Sequence, residues 1–201
     1  MDKFDIKGNY ENYKKYFLEE NAKHNLISKN DEQFLYEKHI YDSLSIKLFF
    51  DKYKICPKTI LDIGCGGGFP CLPIAIEFPQ IQVTGIDSIG KKINSIETIK
   101  NKLNLKNLNT ICGRVENLKG KKFDVITARA VADLSKIAAY AIPLLSSHGY
   151  FVAYKSQKAK EEINNAEEIL QKYNAKVDEV IEYTLPLEEC YTRNLIIISK
   201  K

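Results

Sequence analysis

Asp62-Ile63-Gly64-Cys65-Gly66-Gly67-Gly68-Phe69-Pro70 decides the fold. It follows Ile60-Leu61, so Ile60 to Ile63 is a short β-branched run that reads as a strand. Phe69 to Phe78 reads as the helix after it, with Pro70 in the first turn, where a proline costs no hydrogen bond. Four glycines in five residues allow positive φ and leave bare backbone for a ligand to lie against. The helix N-terminus beyond them adds unpaired N–H groups that favour a carboxylate or phosphate. Asp87 falls at the end of the next strand, 23 residues beyond Gly64, where its carboxylate can accept both hydroxyls of an adenosine ribose.

Outward from this loop, short β-branched runs alternate with helical stretches. Ile81 to Ile86 reads as a second strand, Asn109 to Cys112 as a third, Phe123 to Thr127 as a fourth and Tyr150 to Tyr154 as a fifth. Helices are expected from Lys91 to Leu103, Asp133 to Leu145 and Lys158 to Tyr173. Val177 to Tyr183 and Leu195 to Ser199 then follow without a helix between them. Alternation of this kind predicts a parallel sheet with helices on both faces. The final pair lacks a crossover, so the last strand runs antiparallel. The expected fold is therefore α/β and Rossmann-like: a seven-stranded, mostly parallel sheet with an antiparallel last strand. Up to Tyr53 the chain has no glycine or proline after Gly8, and its apolar spacing predicts two or three helices, with Ser28 to Asp31 supplying caps for the second. We divide the chain into an N-terminal helical extension, 1–54, and a sheet-bearing domain, 55–201.

Composition bounds the rest. A chain of 201 residues with 44% apolar and 28% charged residues suits one globular core. No apolar run approaches a membrane span, and the polar start Met1-Asp2-Lys3-Phe4-Asp5 is not a signal peptide, which points to the cytoplasm. Five cysteines without a CxxC predict neither a disulfide framework nor a metal site, but reduced, mostly buried thiols. The net charge of +4 is small; however, Lys91 to Lys106 carries five lysines and one glutamate, a surplus that suits a phosphate backbone.

The glycine spacing narrows the nucleoside. Gly64, Gly66 and Gly68 give G-x-G-x-G, whereas a dinucleotide fingerprint needs glycine where Phe69 stands, which disfavours a nicotinamide oxidoreductase; an ATP loop needs the G-K-[ST] lysine, which is missing. The D-x-G-x-G-x-G strand end with an acid closing strand two resembles S-adenosylmethionine-dependent methyltransferases of the Rossmann-like class. Within that likeness the acceptor could be a small molecule or a protein, and a silent RNA-binding protein could keep the fold without the activity.

The resemblance goes further. His24 to Ser28, Lys38-His39-Ile40-Tyr41-Asp42-Ser43, Gly66 to Pro70, Asp87-Ser88-Ile89-Gly90-Lys91-Lys92, Arg114-Val115-Glu116, Ala128-Arg129-Ala130-Val131-Ala132, Pro143-Leu144-Leu145 and Ala153-Tyr154-Lys155 together resemble the bacterial 16S rRNA guanine-N7 methyltransferase family G, also called glucose-inhibited division protein B. That resemblance implies methylation of N7 on one guanine of 16S ribosomal RNA, in a loop near the decoding centre. It further implies S-adenosylmethionine as cofactor and 16S rRNA as partner; we expect that RNA within a 30S subunit or an assembly intermediate, a monomeric enzyme, and neither metal nor membrane. By likeness the cofactor contacts are Gly64, Phe69, Val115, Glu116 and Arg129. Gly66, Gly68 and Asp87 join them from the loop argument. Where the family usually has Arg-His this chain has Lys38-His39, which lacks the rigid guanidinium fork. It has Cys71 for a glycine, Lys155-Ser156 for Lys-Gly, and Thr192 for a glutamate before Arg193.

Only three of 30 basic residues are arginines: Arg114, Arg129 and Arg193. A chain that uses lysine for generic charge keeps arginine where five planar donors matter. Arg129, after strand four, can clamp a carboxylate or position the base; Arg114 can pair with Glu116 or reach RNA. N7 of guanine carries a lone pair and no proton, so no nucleophile or general base is assigned. Arg129, Lys155 and His39 are candidates for positioning, and for His39 a bracing role outweighs chemistry. RNA contacts fall to Lys91, Lys92, Lys100, Lys102 and the Lys119-Gly120-Lys121-Lys122 turn, and Tyr154 and Tyr191 are candidates to stack on the base.

Overall fold

The computed structural model describes residues 10–118 and 120–200; the polar N-terminal start and Lys119 lie outside the described residues. The N-terminal segment forms α1 (Glu11–His24), a 3-10 turn (Lys29–Phe34), a π-helical stretch (Leu35–Tyr41), α2 (Asp42–Leu44) and α3 (Ile46–Tyr53). Ser28 caps the 3-10 turn, its Oγ accepting from Asp31 N at 3.2 Å.

β1 (Thr59–Ile63), α4 (Cys71–Glu77), β2 (Gln82–Asp87), α5 (Gly90–Leu103) and β3 (Leu108–Cys112) come next. β4 (Phe123–Arg129), α6 (Leu134–Ala141), β5 (Leu145–Lys155), α7 (Ala159–Lys172), β6 (Ala175–Leu185) and β7 (Tyr191–Lys200) complete the order. One seven-stranded sheet runs β3-β2-β1-β4-β5-β7-β6. All neighbours pair parallel except β7, which is antiparallel to both β5 and β6. Residues 186–190 are too few for a crossover, so β6 and β7 form a hairpin and β7 slides between β5 and β6. The antiparallel last strand agrees with the sequence reading.

Several boundaries differ: α4 starts at Cys71 rather than Phe69, β6 gains two residues at each end, and β7 starts at Tyr191 rather than Leu195. Two further differences have a plain cause. α6 stops at Ala141 instead of continuing to Leu145, because Pro143 has no N–H to donate and the chain tightens into a 3-10 turn at Ile142–Leu144. β5 starts at Leu145, paired with Phe123, rather than at Tyr150, and a register shift between Phe123 and Val125 absorbs the extra residues.

Each sheet face carries its own apolar layer, as strand alternation requires. Tyr13, Phe17, Leu35, Ile40 and Phe49 of the N-terminal helices pack with Ile60, Leu72, Ile96, Leu195 and Ile197. On the opposite face Leu61, Ile126, Phe151, Ile196 and Ile198 meet α6 and α7 through Ile137, Ala141, Ala166 and Leu170. The N-terminal helices thus bury their aromatic faces in the same layer as α4 and α5. Cys65 and Cys71 are buried, but Cys56, Cys112 and Cys190 are exposed, contrary to the expectation of mostly buried thiols. Cys112 ends β3, the edge strand of the sheet, which is paired on one side only. Among the described residues no helix is long and apolar enough to cross a membrane.

Candidate active site

The chain winds outward from β1 to β3 on one side and from β4 onward on the other, so a crevice opens at the carboxyl ends of β1 and β4. The glycine loop lies there. Gly64, Gly66 and Gly68 adopt φ of +67°, +54° and +95°, conformations that other residues enter only with strain. At Gly66 a Cβ would meet nothing nearer than Gly64 O at 3.7 Å and Lys92 Nζ at 4.0 Å, so its bare backbone is uncrowded on the cleft. At Gly64 the Val131 methyls lie 2.7 and 2.9 Å from where a Cβ would stand. Gly68 faces the other way, into Leu72 and Ile96, and serves packing between loop and helices.

Asp87 ties this cradle to the second strand. Its Oδ2 accepts from Gly66 N at 2.9 Å and its Oδ1 from Ile89 N at 2.8 Å, so each oxygen of this cleft-lining carboxylate keeps capacity for a further donor. The cleft, about 790 Å³, brings together Gly64, Gly66, Phe69, Asp87, Val115, Glu116 and Arg129 of the residues singled out from sequence. Gly68 and Lys155 are not among its lining residues. Leu26, Ile27, Ser28 and Asp31 also line it; His24 to Ser28 carries part of the family resemblance, but nothing in the local pattern places this stretch at the cleft. Leu26 sits 3.1 Å from the Cβ position of Gly67, and Asn21 Oδ1 holds the strap by accepting from Ile27 N at 2.8 Å.

Arg129 is anchored by the N-terminal segment. Its Nη1 donates to Asp42 Oδ2 at 2.8 Å and to Lys38 O at 3.2 Å, and its Nη2 donates to His39 Nδ1 at 3.0 Å. The guanidinium also lies 5.0 Å from the centroid of Phe69. Tyr183 donates to the other oxygen of Asp42 at 2.7 Å. His39 stacks 4.8 Å from Phe69, and burial together with the Arg129 charge pushes its pKa down to about 4. The imidazole is therefore neutral at pH 7, with Nδ1 occupied as an acceptor and the proton assigned to Nε2. Beneath the loop, Asp62 is fully buried; burial lifts its pKa to about 7 against the pull of hydrogen bonds from Thr127 Oγ1 (3.0 Å) and Cys71 N (3.1 Å) and of Arg129.

A second cavity of about 630 Å³ adjoins the first and shares Asp31, His39, Arg129 and Ala130 to Ala132 with it. Lys155 lies here. Its Nζ donates to Ala132 O at 2.7 Å and pairs with Glu162 at 2.5 Å, while Glu162 accepts from Leu134 N at 2.9 Å. Lys155 thus straps the loop after β4 to α7. Tyr154 is buried with its hydroxyl on Ser43 O at 2.7 Å, which removes it as a stacking platform; Tyr191 stands exposed on the cavity rim. Arg114 is exposed on the cleft and, among the described residues, forms no ion pair with Glu116. Of the α5 lysines, Lys100 pairs with Glu97 and Lys102 with Glu19, and Lys92 reaches over the glycine loop.

A glycine cradle with an open Gly66, an acid bound to that glycine and a cleft of this size fit an adenosine-bearing ligand; fold and site together define an S-adenosylmethionine-dependent methyltransferase of the Rossmann-like class. Solved structures agree on the fold. A methyltransferase of Clostridium acetobutylicum dependent on S-adenosylmethionine superposes with a TM-score of 0.65 at 14% identity, over 85% of this chain and 95% of that one. Magnesium protoporphyrin IX methyltransferase from Synechocystis, solved with S-adenosylmethionine bound, gives 0.62 at 15% identity, over 81% and 79%. The family model for rRNA small subunit methyltransferase G matches residues 7–191, and the chain belongs to that family. Among its relatives, the ribosomal RNA small subunit methyltransferase G of Lysinibacillus sphaericus is 40% identical over 88% of this chain and 77% of its own length. That of Staphylococcus aureus is 38% identical over 97% and 82%.

Proposed function

We propose that this small-subunit ribosomal RNA methyltransferase transfers its methyl group to N7 of one guanine in the decoding-region loop of 16S RNA. The observation that carries this reading is the condition of His39. It is the only imidazole among the residues that line the cleft, yet its Nδ1 is taken by Arg129 and its pKa sits near 4. Asp42 is likewise engaged, by Arg129 and Tyr183. A site so arranged suits an acceptor nitrogen with no proton to lose. When bound, S-adenosylmethionine supplies an electrophilic methyl on a sulfonium. Gly64 and Gly66 offer backbone to the ligand, Asp87 takes the ribose hydroxyls, Val115 and Glu116 flank the adenine side, and Phe69 and Arg129 hold the amino-acid end. Gly68 supports this cradle through packing. Arg129 and His39 act as positioning residues, and Lys155 acts through the loop it straps. Holding the reacting atoms in line contributes roughly 7–11 kcal/mol in well-oriented systems.

In the same reading the 1–54 extension braces Arg129 and the 55–201 domain carries the cradle. The enzyme works as a cytoplasmic monomer without metal, on 16S RNA within a 30S subunit or an assembly intermediate. Tritiated methyl transfer to naked RNA and to 30S subunits, with nucleosides resolved by mass spectrometry, tests it. N7-methylguanosine is the expected product, and label on any other nucleoside refutes the assignment.

A further inference from the structure

The second cavity holds one basic side chain that no ion pair within it engages. Eight ionised side chains line it, four basic and four acidic. Six of them are joined in three ion pairs: Lys38–Asp31 at 3.0 Å, Arg129–Asp42 at 2.8 Å and Lys155–Glu162 at 2.5 Å. The remaining two are Asp133 and Arg193. Asp133 is exposed at the start of α6, where water screens it. Arg193 is partly buried on β7, opposite Tyr183, and among the described residues its side chain makes no ion pair or hydrogen bond. A guanidinium that the fold leaves without a protein acceptor, its five donors fixed in one plane, is free to receive a bound anion.

Topology sets the neighbourhood. Because β7 is antiparallel, its first residues stand at the same edge as the carboxyl ends of β4, β5 and β6. Arg193 therefore opens onto a cavity continuous with the donor cleft, with Val131 on the wall between them. That side chain is 43% exposed, lines both cavities and lies against Gly64. An apolar partition of this kind gives a flat ring something to lie on, beside the bare backbone of the donor cradle. Tyr191 on the rim adds an exposed aromatic face. A cavity of about 630 Å³ falls within the range that holds small-molecule ligands.

We infer that the second cavity is the acceptor subsite: it receives one unstacked nucleotide of single-stranded RNA, its base against Val131 and its 5′-phosphate on the fork of Arg193. This deepens the proposed function and rests on it. Arg129, held rigidly between the cavities, then separates donor from acceptor, and the Lys155–Glu162 strap fixes the wall that carries Val131.

Steady-state methylation of 30S subunits and of naked 16S RNA by Arg193→Gln, Arg193→Lys and wild type tests the inference across a salt series. Arg193→Gln is expected to raise KM for RNA more than tenfold, while calorimetric affinity for S-adenosylmethionine and the melting temperature stay at wild-type values. The slope of log(kcat/KM) against log[salt] should fall by about one, as loss of one phosphate contact requires. Arg193→Lys should restore the slope but only part of the KM, since charge returns without the fork. An unchanged KM and slope in Arg193→Gln overturns the subsite, as does loss of S-adenosylmethionine binding or stability in that variant. Product analysis of the wild type is independent. If it gives N7-methylguanosine while Arg193→Gln is normal, the subsite falls alone. If another RNA nucleoside is labelled, the guanine-N7 reading falls, and the Arg193 salt slope still decides the subsite. If no RNA is labelled, both fall.

Discussion

His39 and Asp62 should leave the stability of the wild type nearly flat between about pH 4.5 and 6.5, and removing either should reveal a slope of opposite sign. Both are displaced by burial. His39 falls from 6.5 to about 4, through desolvation first and the Arg129 charge second, with Asp31 and Asp42 partly opposing. Asp62 rises from 3.8 to about 7 through desolvation, against hydrogen bonds from Thr127 and Cys71. Between these values the unfolded chain holds a proton on His39 that the native state lacks, so this contribution is lost as pH falls from about 6.5 toward 4. At Asp62 the native state holds the proton and the unfolded chain does not, so that contribution is lost as pH rises from about 4 toward 7. Each slope is about 1.4 kcal/mol per pH unit and each total is on the order of 3 kcal/mol, with opposite signs. His39→Asn keeps an acceptor for Arg129 and should leave a protein whose stability falls with pH across this window. Asp62→Asn keeps one acceptor for Thr127 or Cys71 and should give the reverse. Urea denaturation at four pH values, read as slopes rather than absolute stabilities, makes the comparison independent of what each substitution costs. Parallel slopes in wild type and both variants would falsify the argument.

Asp87→Ala removes the acceptor of Gly66 N and Ile89 N as well as the ribose partner. Two charge-assisted hydrogen bonds to the ribose hydroxyls at about 1.5–3 kcal/mol each predict a loss of S-adenosylmethionine affinity of at least about 100-fold by calorimetry, and unchanged affinity would exclude the ribose assignment. Asp42→Ala leaves Arg129 buried beside a missing partner and should cost about 3–5 kcal/mol of stability, whereas Tyr183→Phe, which keeps the pair, should cost about 1 kcal/mol; equal melting temperatures for the two would contradict the network. Lys155→Met frees Ala132 O and Glu162, so kcat should drop with little change in S-adenosylmethionine affinity, and a loss of that affinity instead would place Lys155 at the donor.

What was legible in the sequence is what neighbours along the chain determine. The glycine run, the acid ending β2 and the alternation of strand and helix are local patterns, and from them followed the parallel sheet, the cradle and the hairpin at the end. Helix α6 escaped a local reading by only a few residues, because Pro143 acts through a missing N–H. Long-range features had no such signal. Asn21, Leu26 and Asp31 look like ordinary residues of a helix and its cap, and only folding sets Leu26 over Gly67, Asn21 behind that strap and Asp31 on the cleft wall. Lys155 was singled out at the end of a strand as a candidate for positioning, and the contact that immobilises it comes from a carboxylate on the following helix.

Arg129 shows why the two kinds of information had to be combined. Its rarity in a lysine-rich chain marked it, but its partners Lys38, His39 and Asp42 lie about ninety residues earlier. A guanidinium at a strand end in open solvent would sample many rotamers and lose about 2 kcal/mol of entropy on being fixed. Three acceptors from the N-terminal helices and the face of Phe69 fix it before any ligand arrives. The helices are therefore best understood as part of the site: they cover one sheet face, and in doing so they hold at the crevice a cation that the sheet alone leaves unoriented. A chain cut at residue 54 should thus lose this orientation along with half of an apolar layer, and no substitution within the glycine loop could restore it.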